Sequence, residues 1–158
     1  MRVVLDTNIL ISAAMKPDGL EARLIAMQAE GRIRAHLTDA ILTEYREVLQ
    51  REKFRAWRSQ AETILATLTG TAVHVSPSDP AHACPDDDDN RFLECADAAD
   101  AAFLITGNLR HYPIQWKQTR ILNARMFFDL IGRKEQADSR PGPRTSRSSP
   151  ANSSGEAS

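Results

Sequence analysis

The chain alternates short apolar runs with longer stretches in which apolar residues recur every three or four positions. Arg2 to Leu5 is a β-branched run ending at Asp6, which predicts a buried strand. Leu20, Leu24, Ile25 and Met27 follow helical spacing, and Gly31 marks the stop of that helix. Ala35 to Thr38 predicts a second strand, after which Thr38 or Asp39 can cap a helix carrying Ile41, Leu42, Tyr45, Val48 and Leu49. A further helix around Trp57 to Leu68 is expected to end at Gly70, ahead of a third strand at Ala72 to Val75. A loop containing Pro77, Pro80 and Pro85 leads into an acidic cluster and a helix beginning near Asp89. Ala102 to Thr106 gives a fourth strand, Arg120 to Leu122 a fifth, and Met126 to Leu130 a closing helix. Strands interleaved with helices imply βαβ crossovers and an α/β fold, a three-layer α/β/α sandwich around a central parallel sheet. No internal repeat is present.

The pattern stops at Gln136. From there to Ser158 the chain holds seven Ser, three Pro and two Gly, with no aromatic and no Val, Ile, Leu or Met. Such a segment cannot bury enough apolar surface to offset the entropy of ordering it. Residues 1–135 are therefore expected to form one domain and residues 136–158 a disordered, passive tail. A hydrophobic content of 42% suffices for one core of this size. The net charge is -1, so no global positive field marks a nucleic-acid binder, and the local distribution of cations decides that question. The N-terminal apolar run meets Asp6 too early for a secretory signal, and no segment approaches the ~20 apolar residues of a membrane span, so the expected location is the cytoplasm. Cys84 and Cys95 lack a Cys-x-x-Cys partner and read as small packed residues.

The acids carry the chemistry. In open parallel sheets ligands bind beyond the carboxyl ends of the strands. Asp6 sits at such an end, Glu44 lies on the helix after the second strand, Asp89 opens the helix before the fourth, and Asn108 follows the fourth strand. If the first and fourth strands are neighbours, the four side chains converge on one crevice. Carboxylates forced together repel one another, and a hard, oxygen-loving cation, Mg2+ or Mn2+, relieves the repulsion. Zinc has no ligand set here, because His36, His74, His82 and His111 are scattered. A carboxylate-held magnesium suits phosphodiester hydrolysis, but the same crevice serves phosphatases and phospho-acceptor domains.

Three motifs narrow the choice. Val3-Val4-Leu5-Asp6-Thr7-Asn8-Ile9-Leu10-Ile11-Ser12 resembles the first motif of PIN domains, a strand followed by Asp-Thr-Asn and a small-residue helix start. Pro85-Asp86-Asp87-Asp88-Asp89-Asn90-Arg91-Phe92-Leu93-Glu94-Cys95-Ala96 resembles the third acidic motif of a bacterial subfamily of toxin components, and Leu104-Ile105-Thr106-Gly107-Asn108 resembles its strand-ending motif. The resemblance spans residues 1 to about 130 and implies a VapC-like, magnesium- or manganese-dependent ribonuclease, the toxin of a toxin-antitoxin pair. It further implies RNA as substrate, a small cognate antitoxin as partner and a homodimer. On this resemblance Asp6, Glu44 and Asp89 hold the metal. Asp89 is chosen from the run because it stands three residues before Phe92, with Asp88 in reserve. Thr7, Asn8 and Thr106 would orient the carboxylates or the phosphate. At Asn108 many relatives carry a fourth acid, and the amide in its place puts a second metal in doubt.

Each feature has a plainer rival. Asp6 alone reads as a helix cap, Glu44 as a solvated helix residue, and Asp86 to Asp89 as a capping and turn cluster. Arg51, Lys53 and Arg55, crowded around Phe54 and Trp57, suit phosphate contact and base stacking, or equally a salt-bridged helix pair with Trp57 turned inward. Arg110 and His111, with Tyr112, lie directly after Asn108 and form the second candidate RNA surface. A haloacid-dehalogenase-like phosphatase needs Asp-x-Asp, and Asn8 replaces its second acid. A receiver-type domain needs a strand-end Lys that is missing. A PIN-like binding module without catalysis is the third alternative, kept open by Asn108.

Overall fold

The computed structural model describes residues 1–77, 79–139 and 141–142. The opening run forms β1 (Arg2–Leu5), with every residue after Arg2 buried. Burial on both faces is why the strand reads as continuously apolar rather than alternating. Helices α1 (Thr7–Met15) and α2 (Leu20–Ala29) follow, the second closed by Gly31 at φ 75°, a backbone that glycine adopts without strain. Strand β2 (Arg34–Leu37) leads into α3 (Asp39–Leu49), whose cap is Thr38: its hydroxyl accepts from Ile41 N at 3.2 Å.

A 3-10 turn at Glu52–Trp57 precedes α4 (Arg58–Thr71), so this helix starts one residue later than the pattern suggests and runs through Gly70. Strand β3 (Val73–His74) is followed by the proline loop, a 3-10 turn at Asp87–Asp89 and α5 (Asn90–Ala98). Then come β4 (Phe103–Ile105), a 3-10 turn at Leu109–His111, β5 (Gln115–Trp116), β6 (Thr119–Leu122) and α6 (Ala124–Asp138). Two further features depart from expectation. Strand β5 is an additional two-residue edge strand, paired antiparallel with β6 around Lys117 at φ 53°, so the sheet is mostly rather than wholly parallel. Helix α6 continues to Asp138, beyond Leu130, where the apolar pattern of the closing helix ends. Its last turns extend on helical hydrogen bonding, with Ser139 N donating to Glu135 O, rather than on apolar burial. Most of the proposed tail, residue 140 and residues 143–158, lies outside the described residues.

The strand order is β3-β2-β1-β4-β6-β5, with helices on both faces in a three-layer α/β/α sandwich. Every pairing from β3 through β6 is parallel. The core joins Val3, Val4 and Leu5 to Phe92, Leu93, Leu104 and Phe127, all fully buried, and each contributes roughly 1.5–3 kcal/mol relative to exposure. Trp57 packs inward against a smaller cluster of Ala14, Leu49 and Ala61. Among the described residues no helix is long and apolar enough to cross a membrane.

Candidate active site

From β1 the chain steps to β2 on one side, while β4 lies on the other, so the strand order reverses between β1 and β4. Open α/β sheets bind ligands at such a point. Leu5 and Ile105 are partners in register, which puts Asp6 and Thr106 side by side, one residue past the two strand ends. The neighbourhood that the convergence of acids required is therefore present. Asp6, Thr7, Asn8, Glu44, Asp89 and Asn108 line one cleft of about 320 Å³.

Asp6 is 5% exposed and stands at the N-cap position of α1 but makes no capping hydrogen bond. Its Oδ2 accepts instead from Thr106 Oγ1 at 2.8 Å, Tyr112 OH at 3.0 Å and Asn8 Nδ2 at 3.3 Å. Asn8 turns its carbonyl to Gly107 N at 2.8 Å, and a Cβ at Gly107 would stand 3.3 Å from that oxygen, so glycine permits the approach. The Thr7 hydroxyl donates to the Glu44 carboxylate. Arg91 approaches Glu44 at 4.0 Å.

The four aspartates have four different surroundings. Asp86 Oδ1 caps the turn by accepting from Asp88 N at 3.0 Å, and Asp87 accepts from Asn90 Nδ2 at 3.2 Å. Asn90 is itself buried and fixes the loop through Cys84 N at 2.9 Å. Asp88 and Asp86 also line the cleft, but the Asp88 side chain is 73% exposed and pairs with Arg91 at 3.1 Å. Asp89, only 16% exposed, faces the cleft, where its Oδ2 is buried without a hydrogen-bond partner. His111 Nδ1 stands 3.3 Å from that oxygen, out of hydrogen-bond alignment.

Burial holds all three inward carboxyls above their ordinary pKa. Asp6 is raised by desolvation against the hydrogen bonds of Thr106 and Tyr112. Glu44 is raised by desolvation and by the charges of Asp6 and Asp89, with Thr7 and Arg91 opposing. Asp89 is raised by desolvation, then by Asp6 and Asp86, with His111 opposing. The Tyr112 hydroxyl is pushed up by burial and by these same charges, so it remains a donor.

The cationic candidates divide. Arg51 and Lys53 line the cleft with the half-buried Phe54, whose ring lies 5.0 Å from Lys53 Nζ. Arg55 does not; it pairs with Glu52 at 3.3 Å. Arg110 lines an adjoining cavity of about 470 Å³ that shares Asn108 and His111 with the cleft. His36 sits on β2, His74 on β3 and His82 in the proline loop, none of them among the cleft's lining residues.

Residues 2–110 match the PIN domain family. The chain belongs to that family. An uncharacterized protein of Methanocaldococcus jannaschii is 31% identical over 111 residues, covering 68% of this chain and 71% of its own length. Among solved structures, a chain from VapBC2 of Rickettsia felis, bound to a DNA fragment from their promoter, superposes with a TM-score of 0.54 at 16% identity. The match covers 78% of this chain and 98% of that one, and at this identity it speaks for the fold. PIN domains are typically nucleases and generally use divalent metals.

The PIN cleft's donors are oxygens, suited to a hard cation, and the partnerless Asp89 Oδ2 is an acceptor with its valence open. Among the described residues no three His, Cys, Asp or Glu side chains stand together as a group able to hold a metal ion, so the carboxylates line the cleft without forming an assembled metal site. Four neighbours escaped the sequence. Tyr112 sits in a basic, aromatic run that signals stacking rather than burial, Arg91 and Asn90 are single residues beside a long acidic run, and Asp86 is masked by the other three aspartates.

Proposed function

We propose that this PIN domain is a Mg2+- or Mn2+-dependent ribonuclease that hydrolyses RNA phosphodiester bonds as the toxin of a toxin-antitoxin pair. The observation that carries the reading is the convergence of Asp6, Glu44 and Asp89 on one cleft, each raised in pKa by burial and one with an unsatisfied buried oxygen. In this reading Asp6, Glu44 and Asp89 hold the cation, with Asn108 able to add an amide oxygen. When bound, the cation supplies an activated water and neutralises charge developing on phosphorus. Thr106, Tyr112 and Asn8 orient Asp6, and Thr7 orients Glu44. Arg51, Lys53 and His111 contact the phosphates within the cleft, and Arg110 does so from the adjoining cavity. A small antitoxin, a homodimer and a cytoplasmic setting complete this reading, and likeness in fold to VapBC2 supports the pairing with an antitoxin.

The test is magnesium-dependent cleavage of RNA measured beside hydrolysis of a generic phosphomonoester. Cleavage of RNA alone is expected. Activity on the phosphomonoester alone would support a phosphatase, against which Asn8 already speaks, since its amide is committed to Gly107 and Asp6. A folded protein inert on both would be the binding module that Asn108 kept open. Growth arrest on expression, relieved by co-expressing any small antitoxin-like protein encoded beside it, tests the pairing.

A further inference from the structure

Three side-chain donors reach Asp6, and all three fall on the same oxygen, Oδ2. They come from three segments: Asn8 from the start of α1, Thr106 from the end of β4, Tyr112 from beyond the following 3-10 turn. Donors arriving from three segments fix the plane of a carboxylate that one donor would leave free to rotate. Thr106 and Asn8 have further duties. Thr106 Oγ1 also accepts from Asn108 N at 3.0 Å, and Asn8 is anchored on Gly107 N at 2.8 Å. The Tyr112 hydroxyl has Asp6 alone, at 3.0 Å, while its ring is 8% exposed within the main core. A buried hydroxyl is expensive to bury without a partner, so ring and carboxylate hold each other in place.

We propose that Tyr112 is a positioning residue for the metal centre: it fixes Asp6 by Oδ2 and so leaves Oδ1 as the oxygen offered to the cation. This rests on the metal-nuclease reading above. Partners that orient a metal-ligating group are worth roughly 10–100-fold in metal affinity, which sets the expected size of the effect.

The experiment compares the full chain with Tyr112→Phe, which keeps the ring and removes only the hydroxyl. Phe127→Leu serves as a comparator, a core change on α6 whose ring packs on Phe103 with 5.7 Å between centroids. Mn2+ binding by calorimetry, thermal unfolding without metal, and kcat and KM for RNA are measured for each. Expected is a loss of Mn2+ affinity of roughly 10–100-fold in Tyr112→Phe, a fall in kcat of similar size and an RNA KM within about twofold. Phe127→Leu should lose stability and keep its Mn2+ affinity. Tyr112→Phe binding Mn2+ as tightly as the parent, while Asp6→Asn binds it weakly, overturns the proposal and spares the nuclease reading. Affinity falling equally in both variants, in step with stability, overturns it in favour of a packing role. A parent protein that binds no Mn2+ overturns both together.

Discussion

The Thr7 hydroxyl donates to the Glu44 carboxylate, tying the first residue of α1 to the middle of α3. Thr7 follows Asp6 directly, so one short segment sets two of the three acids. Thr7→Val keeps the side chain's volume and leaves a largely buried carboxylate without its donor. We expect a loss of about 1–2 kcal/mol in urea unfolding and a clear fall in cleavage, with Thr7→Ser close to the parent. A Thr7→Val protein with full activity would show that Glu44 needs no orienting.

The raised carboxyls give a second prediction, for the metal-free protein. An acid whose folded pKa lies above its unfolded value binds its proton more tightly when folded. Its contribution to stability therefore grows as pH falls from neutral through the folded pKa, and it is lost as pH rises again. Asp6, Glu44 and Asp89 all have this sign. Asp6→Asn and Asp89→Asn should thus match or exceed the parent in thermal stability at neutral pH, and this advantage should shrink on acidification. Saturating Mg2+ should stabilise the parent alone. A parent more stable than both variants at neutral pH, without metal, would contradict the assignment.

How far the sequence carried this reading depended on whether a residue's task is written in its own neighbours. Asp6 was legible because an acid ending a β-branched run marks a strand end, whereas the alternation of elements left the pairing of β1 with β4 a condition that the fold meets. Strand β5 was not, since two half-exposed residues carry no period. Tyr112 was not either: it sits six residues past Thr106 in sequence, and only the turn at Leu109–His111 folds it back beneath Asp6. The true end of α6 was hidden because its last turn is polar, held by helix hydrogen bonds without an apolar stripe.

Within the aspartate run, the surroundings make the third prediction. Asp88 and Asp89 both line the cleft, but Asp89 is enclosed with a partnerless oxygen, while Asp88 is largely exposed and paired with Arg91. Exposed pairs of this kind contribute little. Asp89→Asn should abolish magnesium-dependent cleavage, and Asp88→Asn should retain most of it with stability nearly unchanged. Combining Asp89→Asn with Asp6→Asn should add little further loss, because ligands of one ion fail as a unit. The reverse ranking of Asp88 and Asp89 would shift the ligand by one position.

The last prediction separates the cations that look alike in sequence. Arg51 and Lys53 line the cleft, whereas Arg55, two residues on, is turned to Glu52. Binding of a single strand loses about 0.7 in the log-log salt slope for each phosphate contact removed. Arg51→Ala combined with Lys53→Ala should therefore reduce the slope of RNA binding by about 1.4, and Arg110→Ala by about 0.7. Arg55→Ala should leave it unchanged. Binding measured over a range of salt with the cleavage-dead Asp89→Asn protein keeps affinity apart from turnover. A slope that drops as much for Arg55→Ala as for Lys53→Ala would place the strand along the outer face of the Glu52–Trp57 turn, away from the carboxylates, and the proposed path across the cleft would fall.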